Sequence, residues 1–132
     1  MNDKIYFGHS VNVYGTPDEE RLIKIIEEYF PQFEVENPNQ LHHQEGYQRW
    51  RGITKGMDYY FKEVLPQMES GIFLPFEDGM LGAGVYGEAE FIANDGKLIY
   101  EIDFVGNIER MFLDSTRKLS VSETRERVYG KG

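Results

Sequence analysis

The stretch from Glu69 to Asp103 reads ESGIFLPFEDGMLGAGVYGEAEFIANDGKLIYEID, and its punctuation decides the fold. Ile72, Phe73 and Leu74 make the short continuous apolar run of a buried strand. Glu77 to Gly84 is a glycine-rich turn, and Val85 to Asn94 is a helix whose inward stripe is Val85, Ala89 and Ile92. Lys97 to Ile102 reads as the next strand. A strand, a helix and a second strand in this order predict a parallel pair, since the crossover has to return over the sheet.

Glu88 shares the inward stripe, three residues after Val85 and four before Ile92. Helical spacing therefore aims it at the sheet or at the crevice above it. The expectation is a carboxylate near the positive end of the helix dipole, ionised and partly dry, which suits a nucleophile or a base. The plainer reading is an acid that helps the helix start.

Working outward, Lys4 to Gly8 reads as a first buried strand and His9 to Gly15 as the loop at its carboxyl end. Thr16, Pro17 and Glu19 form a helix start signal: a capping hydroxyl, proline in the first helical position and glutamate three residues after the cap. Leu22, Ile25, Ile26 and Tyr29 recur at helical spacing until Pro31. Phe33 to Glu36 looks like a second strand, followed by a polar loop from Asn37 to about Arg51. Met57, Tyr60, Phe61, Val64 and Leu65 mark a further amphipathic helix that ends near Pro66. The tail holds a short strand at Arg110 to Leu113 and a helix from Ser120, capped in the pattern Ser120 to Glu123. This alternation predicts one α/β domain with a parallel sheet of about five strands covered on both faces. Ligands of such folds bind beyond the carboxyl ends of the strands, at the loops His9 to Gly15, Asn37 to Arg51 and Phe76 to Gly84.

The bulk properties narrow the function classes. At 132 residues the chain is long enough for one core and too short for two. A net charge of -9 repels a phosphate backbone, so a nucleic acid polymer is not expected as partner. With no cysteine there is no disulfide framework, thiolate nucleophile or thiolate zinc site. No apolar run approaches a membrane span, and the N-terminus runs directly into a strand, so the expected location is the cytoplasm. His9, His42 and His43 lack ligand spacing, with no acidic partner at helical spacing, and neither metal nor cofactor is expected. The glycines at 79, 82, 84 and 87 match no nucleotide fingerprint, and either serve a tight strand-to-helix turn or let backbone amides approach a sugar or phosphate. Asp58 either pairs with Lys62 on the surface or reaches the crevice to hold a ligand hydroxyl.

Lys-Ile-Tyr-Phe-Gly at 4 to 8, and the strand, acidic turn and glutamate of Ile72 to Glu88, resemble the nucleoside 2-deoxyribosyltransferases. That family has an IYFG first strand and a segment resembling YIPDEEDxGLGxELGYA before a GK strand; here the segment reads IFLPFEDGMLGAGVYGEAEFIANDGK. The resemblance implies a flavodoxin-like three-layer fold over residues 1–132 and a homo-oligomer whose neighbouring subunit completes the site. It implies that Glu88 attacks the anomeric carbon of a nucleoside or nucleotide and that Tyr6 positions it. Asp58 stands one turn before Lys62, where the family's sugar-binding aspartate would fall. Gly8, His9, Asn37, Asp78, Gly82 and Gly84 are the expected substrate-binding residues. The chain departs from the family pattern in having Gly82 for an aspartate, a turn about three residues longer, Glu90 for a glycine and no aromatic C-terminus.

The expected activity is cleavage or transfer at the N-glycosidic bond of a (deoxy)nucleoside. One alternative is hydrolysis of deoxynucleoside monophosphates, which needs a cationic or amide-rich phosphate pocket. For that the first loop, GHSVNVYGT, offers Ser10 and Thr16 but no arginine. A second alternative is a catalytically silent nucleoside-sensing or interaction domain.

Overall fold

The computed structural model describes residues 3–130. Five strands form one sheet in the order β2-β1-β3-β4-β5, with β1 at Asp3–Gly8, β2 at Phe33–Glu36, β3 at Ser70–Phe73, β4 at Ile99–Ile102 and β5 at Ile108–Arg110. The first four are parallel, and β5 runs antiparallel to β4. The expected all-parallel sheet is corrected at this edge. Too few residues separate β4 from β5 for a crossover. Asp103 instead closes a tight turn, its carboxylate accepting from the amides of Val105, Gly106 and Asn107, while Gly106 takes a positive φ of 107°.

Strand alternation sorts the apolar side chains into two clusters. Ile5 and Phe7 of β1 join Ile72, Leu74 and Ile102 in one, together with Leu22 and Ile26 of helix α1, Pro17–Tyr29. Tyr6, Phe73 and Ile99 join the other, with Val85, Ala89 and Ile92 of helix α3, Ala83–Asn94. Each such side chain taken wholly out of water contributes roughly 1.5–3 kcal/mol. Thr16 caps α1 by accepting from the Glu19 amide. Tyr29 departs from the expected stripe, lying exposed while its neighbour Phe30 is buried.

The segment expected to be a polar loop contains helix α2, Leu41–Arg51. Its buried or half-buried positions are His43, Gly46, Tyr47 and Trp50, a helical stripe two of whose members, a histidine and a glycine, do not look apolar. Gly46 lies against the Tyr59 ring, where a Cβ would collide. The next expected helix is present but irregular: Tyr60–Val64 is a π-helical turn, followed by a 3-10 turn at Leu65–Gln67. The closing helix α4, Val121–Tyr129, carries the complete capping box of Ser120 and Glu123. Its Thr124 hydroxyl accepts the Ala83 amide, which joins the end of the chain to the start of α3. Among the described residues no helix is long and apolar enough to cross a membrane.

Candidate active site

Strand β1 is flanked by β2 and β3, so the chain turns to opposite sides of the sheet on leaving β1 and on leaving β3. The crevice at that reversal is where α/β sheets hold ligands. A cavity of about 1170 Å³ lies there, lined by Tyr6 of β1, by His9, Ser10 and Tyr14 after it, and by Gly82, Gly84, Val85 and Glu88 of the third crossover. α2, the turn after it and the π turn supply the wall containing Gln44, Tyr47, Gln48, Met57 and Tyr60. α4 supplies Thr124, Arg125, Val128 and Tyr129.

Glu88 is 6% exposed and Tyr6 only 1%. The Tyr6 hydroxyl donates to Glu88 Oε2 over 2.6 Å. Glu88 Oε1 accepts no hydrogen bond from a described residue, yet no side-chain oxygen sealed from solvent lacks a partner, so Oε1 opens to the cavity. Gly8 makes room for this arrangement. A Cβ there would run into the Phe73 ring and stand 3.3 Å from Glu88 Oε1. Burial pushes the Glu88 carboxyl up to about 8 against the opposing Tyr6 bond, which corrects the expectation of a group ionised at neutral pH. Burial and the Glu88 charge likewise push the Tyr6 hydroxyl well up. They act on Tyr14 and Tyr60 too, whose hydroxyls have no partner among the described residues.

His9 lines the cavity, but both ring nitrogens are engaged. Nδ1 donates to the Phe7 carbonyl at 2.9 Å, and Nε2 meets Glu19 Oε2 at 2.8 Å. Burial works to raise Glu19, but bonds from His9, Asn39 and the Gly15 amide outweigh it and hold the carboxyl below its usual range. His9 therefore ties β1 to α1 and presents its ring, rather than a free nitrogen, to the cavity.

The structure brings Glu88, Tyr6, His9, Gly82 and Gly84 together at the cavity and sets Gly8 directly beneath Glu88. Three expected residues lie elsewhere. Asp58 accepts from the Thr54 hydroxyl at 2.6 Å and is absent from the lining, because the turn before the π segment directs Met57 and Tyr60 inward instead. Asn37 accepts the Asn39 amide in the turn that leads into α2. Asp78 is taken by a two-bonded ion pair with Arg127 of α4. Residues missed by sequence reasoning are Tyr14, Tyr47, Tyr60 and Arg125. The three tyrosines belonged to segments whose aromatic content was visible, but only the chain path turns them to one crevice.

Glu36, His42 and His43 place one potential metal-ligand atom each within 4.8 Å of one another, so an acid does accompany the histidines. It is already employed. Glu36 accepts from Lys4, Gln40 and His43 at 3.0, 3.0 and 2.7 Å, and the other His43 nitrogen meets the Tyr59 hydroxyl at 2.6 Å. The His43 bond, with Lys4 beside it, outweighs burial and holds Glu36 at about 2. Lys4 supplies the positive charge a cation would bring, and the group works as a buried clamp between β2, α2 and the π turn.

No protein-family model, curated protein or solved structure matches the chain. The site is therefore defined by its own geometry: a carboxylate with one oxygen held by a phenol and the other open, at the strand-reversal point of an α/β sheet.

Proposed function

We propose that this protein cleaves or transfers at the N-glycosidic bond of a (deoxy)nucleoside, with Glu88 as nucleophile. The observation that carries the reading is the open Oε1 of Glu88 beside an Oε2 fixed by Tyr6. In the ionised form Oε1 attacks the anomeric carbon. The carbon–nitrogen bond breaks with its electron pair going to the base, which takes a proton from cavity water, and a glycosyl ester is left on Glu88. Water or a second base then attacks the same carbon and frees the carboxylate. The tyrosines of the lining offer flat apolar surface to a planar base.

The arrangement reads as flavodoxin-like, three layers deep: the strand order 2-1-3-4-5 supports this, and the antiparallel β5 is a departure. The protein acts on a small molecule in the cytoplasm and assembles with a second copy. Exposed apolar residues at the cavity mouth, Leu41 at 71% and Tyr129 at 75%, support such a neighbour.

The test is incubation with a panel of nucleosides with and without free adenine, with products separated by chromatography. Exchanged nucleoside means transfer, and free base plus sugar means hydrolysis. Glu88→Gln should lower turnover by about three powers of ten or more, with Glu90→Gln near wild type. A slow 2-fluoro nucleoside should leave a glycosyl adduct on the Glu88 peptide. Full turnover in Glu88→Ala would remove the assignment.

A further inference from the structure

We infer that the preferred substrate carries a 5′-monophosphate, and that Arg125 of α4, with the Ser10 hydroxyl, holds it. This rests on the reading of Glu88 as the group facing the sugar. Cations around the cavity are mostly committed: Arg49 to Glu63 at 3.0 Å, Arg127 to Asp78 at 2.8 Å and Arg117 to Glu101 at 2.9 Å. Lys118 lies over the Tyr86 ring. Arg125 lines the cavity, is exposed, and has no ion-pair or hydrogen-bond partner among the described residues. Ser10 also lines it and is equally uncommitted, since its hydroxyl does not cap the 3-10 turn Val11–Val13 that follows. α4 packs against that turn, so the helix that carries Arg125 adjoins the loop that carries Ser10.

The chemistry of the pair selects the ligand. A guanidinium with free N–H groups and a hydroxyl donor on the same lining match a phosphate, whose oxygens accept several charge-assisted bonds. A neutral 5′-hydroxyl would leave the guanidinium without a charge partner. The first loop lacks an arginine in sequence, and the fold supplies one from the far end of the chain. At about 1170 Å³ the cavity exceeds the usual range for small-molecule pockets, so space for a phosphate beside base and sugar is available. Glu45 is the opposing charge on the lining, carried by α2 rather than by the α4 end.

The experiment uses the full chain with Glu88→Gln, which blocks turnover and keeps the cavity. Calorimetry at low salt compares each of the four common deoxynucleosides with its own 5′-monophosphate. A monophosphate should bind more tightly by about tenfold to a hundredfold, and the advantage should shrink as salt is added. Adding Arg125→Gln should abolish the advantage, Ser10→Ala should narrow it, and Arg125→Lys should retain part of it. Arg110→Gln, which removes the same charge away from the lining, should leave it unchanged. Equal affinities within every pair, or an advantage that survives Arg125→Gln, would overturn the inference. A change of oligomeric state in Arg125→Gln with no monophosphate preference would assign the arginine to a subunit contact instead. If the preference is found but wild type cleaves no nucleoside or monophosphate, the phosphate site stands and the glycosidic reading falls. If cleavage occurs at equal KM for both members of a pair, the reverse holds.

Discussion

At the scale of single residues, the site is an acid made unusual by where it stands. Glu88 would ionise near 4.5 in an exposed position and is held up to about 8 by burial. Between these values the folded chain keeps a proton that the unfolded chain releases. The stabilisation this gives is fully present below about 4.5 and is lost as the pH rises through about 8, and its size is on the order of 5 kcal/mol. Chemical denaturation measured from pH 5 to 9 should therefore show stability falling with pH in wild type. The fall should be much shallower in Glu88→Gln, and an equal slope in both would show that the carboxyl is not held neutral by the fold. Gly8 is the second residue with a sharp consequence. Gly8→Ala forces its new methyl into Phe73 beneath Glu88, so it should cost about 1–3 kcal/mol, read as a lower denaturation midpoint. Glu88, Tyr6 and His9 were legible from spacing and from the resemblance of their segments to a family. Asp58 and Asp78 were not placed correctly, because their partners, Thr54 and Arg127, are fixed by turn geometry and by a helix far along the chain.

Among the elements, the wall made by α2 and the π turn is the least regular part of the fold and the least legible in the sequence. The stripe of His43, Gly46, Tyr47 and Trp50 was hidden because two of its members are a histidine and a glycine, inward-facing only because Glu36 and Tyr59 receive them. The antiparallel direction of β5 was legible in principle. The interval Asp103 to Asn107 is too short for a parallel return, and the strand begins at Ile108, ahead of the expected start at Arg110. The π turn accommodates one residue beyond an α-helical register, and this lets Tyr60 face the cavity while Val64 and Leu65 stay buried. Deleting the exposed Lys62 replaces five π-helical residues by four α-helical ones, which sweep nearly the same total angle, so Tyr60 and the Val64–Leu65 pair keep their facings. That variant should keep its ligand affinity and melt within a few degrees of wild type. Loss of affinity with the melting temperature kept would show that the wide turn itself shapes the cavity wall.

For the whole molecule, the cavity is closed by the two ends of the described chain: β1 and its loop on one side and α4 on the other, clasped by Thr124 at the start of α3 and by the Arg127–Asp78 pair. The mouth still leaves Leu41 and Tyr129 in water, and this exposed apolar surface is the physical reason to expect association with a second copy. Light scattering at micromolar concentration should report a dimer or larger, and Leu41→Glu with Tyr129→Glu should shift it to the monomer; a wild-type monomer would mean the cavity works with an open mouth. The wall built from α2 has one more consequence. The chain contains a single tryptophan, Trp50, and its indole N–H donates to Glu63 on the π turn, next to Arg49 on the cavity lining. Any displacement of α2 against the π turn must alter that indole's solvation and its bond to a carboxylate, so its fluorescence colour and intensity follow the motion of one known place. The protein thus contains its own label-free optical reporter of movement in the cavity wall, and a ligand that shifts α2 is read in stopped-flow measurements before any product has formed.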